Sequence, residues 1–439
     1  MLPVELRTSL RCGRSGRADA FAAAEARESR AAEPAVASSS CAATTSASIQ
    51  TESGAFGAND LLPTPACVDD LARDVYCLFG VPIDVTDMAL ALRRIEASVA
   101  SATPFLLSTP NVNFLVQSQS DPAFRESLLD SDFCPADGMP IVWVARLMGL
   151  PIKQRVSGSD IFDALKTHPR FERPLRVFLF GGLDGVAAAA GKVLNAERSA
   201  LCCVGTFNPG FGTVEDMNRE DIIDTVNGSH ADLLLVSLGS RKGQAWLHRN
   251  HIRLTIPVRV HLGAVLNFVA GTVKRAPRWL RACGLEWLWR IKEEPELWRR
   301  YCYDASVLLR LILTRALPLA ITNRWHRLRS ARQPTHLLIK TAQNHNSVTI
   351  DLCGNATERD VAMALSCFRE TLTAGSKAVI IDLSRTCVID QRFFGLLLMF
   401  RKQLKRRRAK LRFTGVSAAT KRIFKLNALG FLLTPDASE

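Results

Sequence analysis

At 439 residues the chain exceeds what one hydrophobic core usually serves, so two domains plus tails are expected. A hydrophobic content of 47% with 22% charged residues excludes a disordered or fibrous chain. The formal charge of +14 asks for a polyanionic partner: nucleic acid, an anionic membrane surface or phosphorylated ligands. The 12 cysteines stand singly except for Cys202-Cys203, with no CxxC pair at metal-ligand spacing. They read as free thiols in a reducing cytosol.

Residues 1–65 are rich in Ala, Ser, Glu and Arg and poor in large apolar groups. Such a segment does not bury enough surface to offset its ordering entropy, so disorder is expected there; a misassigned start codon accounts for it equally. No apolar secretory core segment interrupts it. From Asp69 the texture changes. Pro104–Ser108 reads as a buried strand followed by helix through Leu129, and Arg176–Phe180 as a strand followed by a helix over Val186–Glu197. Leu201–Thr206, Asp232–Leu238 and Pro257–Leu262 are further short apolar runs with helical segments between them. Strands alternating with helices predict a parallel sheet covered on both faces.

Trp279 to about Arg332 is helical and rich in aromatics and arginine. Its most membrane-like stretch, Ser306–Ile321, is interrupted by Arg310 and Arg315 and is shorter than the about 20 apolar residues of a span, so it is expected to lie on a membrane and not to cross it. After a linker at Gln333-Pro334 a second α/β domain is expected. Its strands read as His336–Lys340, Ser347–Leu352, Ala378–Asp382 and Lys410–Thr414, and its helices as Glu358–Thr373, Phe393–Arg407 and Ala418–Leu426.

Several loops carry chemistry. Thr109-Pro-Asn111 follows the first strand, where open α/β sheets bind ligands, and reads equally as a turn. Asp137-Gly138 offers a carboxylate suited to a general base, or a turn aspartate. Arg155-Val-Ser-Gly158-Ser-Asp160 joins a cation, a glycine and a helix start capped by Ser159 or Asp160: a pyrophosphate site, or a capped surface helix. Gly181-Gly182-Leu-Asp-Gly185, Asn208-Pro-Gly210-Phe-Gly212 and Gly239-Ser-Arg-Lys242-Gly-Gln244 also follow strands. Their backbone N–H groups suit a nucleotide phosphate.

In order and spacing these loops resemble the WecG/TagA/CpsF glycosyltransferases (glycosyltransferase family 26) over about residues 75–320, together with Arg275-Ala-Pro277 and Gly284-Leu-Glu-Trp287. The resemblance implies a Rossmann-like domain over 70–278 with a helical, membrane-facing appendage over 279–332. It also implies inverting, metal-independent transfer of a sugar from a UDP donor to a polyprenyl-diphosphate-linked saccharide. The sugar would be a hexose, an N-acetylhexosamine or its uronic acid. Asp137 would be the base, with Thr109 and Asn111 shaping the pocket. Arg155 and Lys242 would stabilise the leaving diphosphate, and Gly158, Gly181, Gly182, Gly210 and Gly239 would line the donor site. Where many members carry Pro-Lys-Gln-Glu, this chain has Arg241-Lys242-Gly243-Gln244, which moves that contact to Gln244. No metal or cofactor is implied. The expected location is peripheral, on the cytoplasmic face of an anionic inner membrane.

Residues 336–433 resemble a STAS domain, the anti-sigma-factor-antagonist fold, through Val379-Ile-Ile-Asp-Leu-Ser384, Val388-Ile-Asp390, Gly395-Leu-Leu-Leu and Leu429-Gly430-Phe431. A protein partner follows from that resemblance. Gln391 stands where phosphorylatable members have serine or threonine, which leaves Ser384 or Thr386 as substitutes. Eight of the twelve residues in Arg401–Arg412 are basic. They read as a solvated helix face, with a second membrane contact as the alternative. Nucleic acid is not expected, since no aromatic platform accompanies the run. Two rival readings remain: a nicotinamide-dependent oxidoreductase built on the Gly181-Gly182 loop, and a STAS-based regulator with a degenerate transferase domain.

Overall fold

The structure, a computed structural model, describes residues 69–167, 173–197, 199–330 and 336–434. The tail over 1–65 and the linker at Gln333-Pro334 lie outside the described residues. The first domain is built on five parallel strands in the order β3-β7-β6-β4-β5: β3 (Phe105–Leu107), β4 (Leu175–Gly181), β5 (Leu201–Phe207), β6 (Leu233–Ser237) and β7 (Val258–His261). Successive strand residues point to opposite faces. Leu175, Val177, Leu179, Leu233 and Leu235 pack into one core, while Phe178, Phe180, Leu234 and Val236 pack into another. Both faces are covered, which is why the strands read as unbroken apolar runs.

Helices connect and cover the strands: α1 (Met88–Ser101), α2 (Val112–Ser120), α3 (Pro122–Leu129), α4 (Met139–Leu147), α5 (Gly158–Lys166), α6 (Val186–Ala196), α7 (Glu220–Gly228), α8 (Ser240–Asn250) and α9 (Val265–Val269). The chain reverses its winding between β4 and β6, so a crevice for ligand falls at their carboxyl ends. An antiparallel hairpin, β1 (Val75–Leu78) with β2 (Val81–Asp84), precedes the sheet. Its two four-residue strands are buried throughout and show no alternation to find in the sequence.

The appendage comprises α10 (Arg278–Ala282), α11 (Glu286–Glu293), α12 (Trp298–Leu311) and α13 (Leu317–Ser330), with a π-turn over Ile312–Ala316 that keeps α12 and α13 in one rod. The continuous helix Pro295–Trp325 spans 31 residues, longer than the stretch expected, and is long and apolar enough to cross a membrane. One side of it is engaged: Leu308, Leu311, Ala316 and Leu319 pack with Phe114, Ile141 and Val142 of the first domain.

The second domain has strands β9 (Ser347–Ala356), β10 (Ala378–Asp382), β11 (Thr386–Ile389) and β12 (Lys410–Thr414) in the parallel order β11-β9-β10-β12, with β8 (Leu338–Gln343) antiparallel on β9. Helices α14 (Val361–Thr373), α15 (Gln391–Arg406) and α16 (Ala418–Leu426) complete it. Its core does not stop at the domain boundary, because Leu71, Val75, Cys77 and Leu129 belong to the same apolar cluster. A Cβ on Gly395 would overlap the carbonyl oxygen of Val75, so only glycine lets α15 lie this close on β1.

Half of the basic run expected to be a solvated face is a docking face instead, formed by Arg401, Lys402, Lys405 and Arg406, while Arg407, Arg408, Lys410 and Arg412 are exposed. Arg401 pairs with Glu126 at 3.0 Å, Lys405 with Asp130 at 2.7 Å, and Lys402 and Arg406 with both Asp70 and Asp132. The sequence does not reveal this, since the acids lie some 270 to 340 residues away. Gln391, at the other end of α15, is buried against the appendage. Its Oε1 accepts from Asn323 at 2.9 Å and its Nε2 donates to Asn427 at 3.3 Å. Of the substitutes, Thr386 is buried and donates to the Leu352 carbonyl, while Ser384 is exposed and donates to Asp382.

Candidate active site

The carboxyl ends of the parallel strands gather the sequence candidates. After β3 the chain passes through Ser108, Thr109 and Pro110 to Asn111, which caps α2 by accepting the Phe114 N–H at 3.1 Å. Thr109 is buried, and its Oγ1 lies 3.3 Å from where a Cβ on Gly158 would sit. The nearer obstacle is Leu262, whose Cδ2 that Cβ would overlap, so glycine at 158 lets the start of α5 close on Leu262 with Thr109 beside it. That helix is capped by Ser157, ahead of the expected caps Ser159 and Asp160. Ser157 Oγ accepts the Asp160 N–H at 3.1 Å and donates to the Asp160 carboxylate at 2.7 Å. Ser157-Gly-Ser-Asp160 has the Ser-x-x-Asp capping pattern, so the mark of this cap lies in the sequence.

Asp137 reaches the same point from the other side. Its N–H donates to the Pro110 carbonyl at 2.9 Å, and its Oδ2 lies 3.5 Å from the Gly158 N–H. Burial pushes the Asp137 carboxyl up to about 7, Arg155 opposes the rise, and Glu286 and Asp160 add to it. The Arg155 guanidinium donates to Glu286 and to Asp160, both at 2.6 Å. Asp160 also receives Arg275 at 2.6 Å and Arg281 at 2.9 Å. Three arginines thus converge on the Asp160 carboxylate, and of these Arg155 acts on Asp137. Arg281, from α10, escaped the sequence reading because the appendage had to fold back for it to arrive.

Gly181 and Gly182 end β4 at the switch point. A Cβ on Gly181 (φ +95°) would sit 2.6 Å from the Ser237 carbonyl oxygen, so the two strand ends meet only because 181 is glycine. The helices that start here, α6 behind Gly185 and α8 behind Gly239, carry no side-chain cap. Their first N–H groups are suited to anionic oxygens. Gly210 lies on the exposed loop after β5 with Phe211, and Lys242 ties that loop to α8 by donating to the Gly212 carbonyl at 2.8 Å.

Gln244 departs from the expectation. It is fully buried and donates to Ser108 Oγ beneath the strand end, so it does not line the crevice. The reason is the helical period: position 244 faces the sheet. Position 243 is filled by a neighbour, since a Cβ on Gly243 would overlap the His261 ring. His261 closes β7 and is a residue the sequence reading missed. Its Nε2 donates to the Leu238 carbonyl at 2.8 Å, and burial lowers its pKa, which keeps the imidazole neutral. The signal available was a histidine at the carboxyl end of an apolar strand. Among the described residues no three His, Cys, Asp or Glu side chains gather as a metal site.

The domain is doubly wound, with uncapped helix starts at its switch point and a carboxyl beside Arg155 at the end of the edge strand β3, and these groups suit an anionic ligand. Residues 76–320 match the glycosyl transferase WecG/TagA/CpsF family, and the chain belongs to that family; residues 336–436 match the STAS domain. Three relatives are each named N-acetylglucosaminyldiphosphoundecaprenol N-acetyl-beta-D-mannosaminyltransferase. That of Bacillus spizizenii is 28% identical over 44% of this chain and 72% of its own length. That of Bacillus subtilis is 26% identical over 44% and 74%, and one from Staphylococcus aureus is 26% identical over 48% and 82%. Among solved structures the chain is similar to an anti-sigma factor antagonist from Mycobacterium paratuberculosis, at 14% identity and a TM-score of 0.21, over 23% of this chain and 85% of that one. The STAS assignment rests on the family match. The chain is thus a glycosyltransferase fused to a STAS domain.

Proposed function

We propose that this glycosyltransferase moves a hexose, an N-acetylhexosamine or its uronic acid, with inversion, from a UDP donor to a polyprenyl-diphosphate-linked saccharide in envelope or exopolysaccharide assembly. The observation that carries the reading is the meeting of Asp137, Thr109, Gly158 and Arg155 at the carboxyl edge of the sheet. A carboxyl whose pKa stands near 7 is matched to removing a hydroxyl proton at neutral pH. The N–H groups at the starts of α6 and α8 supply positive potential where the UDP leaving group gathers charge, and Arg155 joins them on exchanging Asp160 or Glu286 for the diphosphate.

The acceptor chemistry is supported by the appendage. Trp298, Tyr303, Leu309, Leu313 and Ile321 are exposed on the side of the rod that faces away from the core. Arg299 and Arg300 lie over the rings of Trp298 and Tyr301. Aromatics with cations suit the headgroup layer and a lipid diphosphate. A rod docked along one side through four core residues is suited to lying on a cytoplasmic membrane face and not to crossing it.

The test is transfer from UDP-N-acetylmannosamine, UDP-N-acetylglucosamine or UDP-glucose to a short-chain prenyl-diphosphate N-acetylglucosamine. Asp137→Asn is expected to lower kcat about 10²- to 10⁴-fold; near-native turnover would remove the proposed base. In the native protein kcat/KM should rise with pH through an apparent pKa of about 7. An acid whose folded pKa is raised loses stability as pH climbs from its unfolded value, near 4, to its folded one. Asp137→Asn should therefore raise the Tm at pH 8 and leave it nearly unchanged at pH 4. Silence with every donor, alongside intact binding of a protein partner, would favour the regulator with a degenerate transferase domain.

A further inference from the structure

Between β2 and β3 the segment Ser131–Asp137 runs extended, bridging Asp84 through Pro135 and Leu107 through Phe133. Asp137 is its far end. At its near end Lys402 of the STAS domain is almost wholly buried, and its Nζ donates to Asp70 at 2.8 Å, to the Ser131 carbonyl at 2.9 Å and to Asp132 at 2.8 Å. Three acceptors satisfy all three ammonium protons, so the contact has one geometry. Arg406 grips the same two carboxylates at 2.9 and 3.0 Å.

From that clamp the bonds run unbroken to the crevice. Asp132 Oδ2 accepts the Leu106 N–H at 2.9 Å, and the Asp132 N–H donates to the Leu106 carbonyl at 2.9 Å. The Ser108 N–H donates to the Phe133 carbonyl at 3.0 Å, and the Ser131 and Ser108 hydroxyls meet at 2.7 Å. Thr109 follows directly, and Pro110 receives the Asp137 N–H.

We propose that the STAS domain is an intramolecular positioning subunit of the transferase, with Lys402 as the positioning residue that holds the Ser131–Asp137 segment and the end of β3 in register. The face of α15 that carries Gln391, Gly395, Met399 and Lys402 is occupied by the chain's own appendage at Gln391 and first domain at the other three. A partner protein for the STAS domain therefore binds elsewhere on it or displaces this contact. The activity half of the inference rests on the role of Asp137 given above; the structural half does not.

The experiment uses the full chain and two readouts: amide hydrogen exchange, and transfer with whichever donor of the named panel turns over. Lys402→Met is expected to speed exchange at Leu106–Asn111 and Phe133–Asp137 about tenfold or more, while Val186–Ala196 on α6 stays as it was. It should lower kcat on the order of ten- to a hundredfold with donor KM nearly constant. Lys402→Met with Asp132→Asn removes Lys402 and one of its two buried carboxylate partners, leaves Asp70 paired with Arg73 and Arg406, keeps an acceptor for the Leu106 N–H, and should recover part of the Tm without restoring kcat or exchange. A Lys402→Met variant with lower Tm and unchanged local exchange, or a double variant restored in every readout, would show the contact to be adhesive only and overturn the proposal. If Lys402→Met does not fold, Arg406→Ala is scored by the same criteria with smaller effects. If no donor turns over, exchange alone decides, so failure of the transfer reading is told apart from failure of this one.

Discussion

Two helices in this chain are rich in arginine and lysine, and they use them in opposite ways. On α15 the cations Arg401, Lys402, Lys405 and Arg406 all meet carboxylates of the first domain, and Lys402 is lost to solvent altogether. On the α12–α13 rod, Arg299 and Arg300 lie over aromatic rings at the surface, and the apolar residues around them are exposed. A run of positive charge in a sequence is therefore neutral as to purpose. What decides it is whether acids arrive opposite, and that depends on the fold.

The comparison can be broken most forcefully at Gly395. Gly395→Ala places a methyl group against the Val75 carbonyl oxygen, a backbone atom with no rotamer to give way. Overpacking of this kind is expected to cost about 3 kcal/mol or more, read as a lower midpoint in urea. An unchanged midpoint would mean that α15 does not rest on β1 in solution. Next in size is the exposed side of the rod. Trp298→Ser with Leu313→Ser should leave the urea midpoint within about 0.5 kcal/mol of native, since both side chains face away from the core. Binding to anionic phospholipid vesicles should fall at least tenfold, because each such side chain contributes about 1.5–3 kcal/mol when immersed. Equal vesicle binding would remove the membrane role of the rod.

The smallest effect is that of salt. Raising ionic strength from 0.05 to 0.5 M shortens the screening length severalfold, to about 4 Å. Vesicle binding should weaken, while exchange protection of the Lys402 contact should hold, since buried pairs are little screened. Salt sensitivity of both would place the two basic helices in one class.

The elements that the sequence made legible are those with a local cause. Apolar runs such as Arg176–Phe180 and Asp232–Leu238 are strands because both faces are covered, and the glycines after them mark the turns the strand ends need. Thr109, Asp137, Arg155 and Gly158 were found by motif, and the structure brings them together. The β1–β2 hairpin and β11, each strand four residues long, fell below any periodic signal. Gln244 belongs to the loop motif yet turns to the sheet, because a motif records order and not which side of a helix a residue occupies.

By itself, then, the sequence determined the strand–helix alternation and the glycine loops at the strand ends, both of which follow from period and turn chemistry. Only the tertiary structure decided that Gly243 makes room for His261, that Arg281 returns to Asp160, and that Lys402 is held by Asp70 and Asp132. Each of these pairs residues distant along the chain, and the burial that fixes them has no local signature.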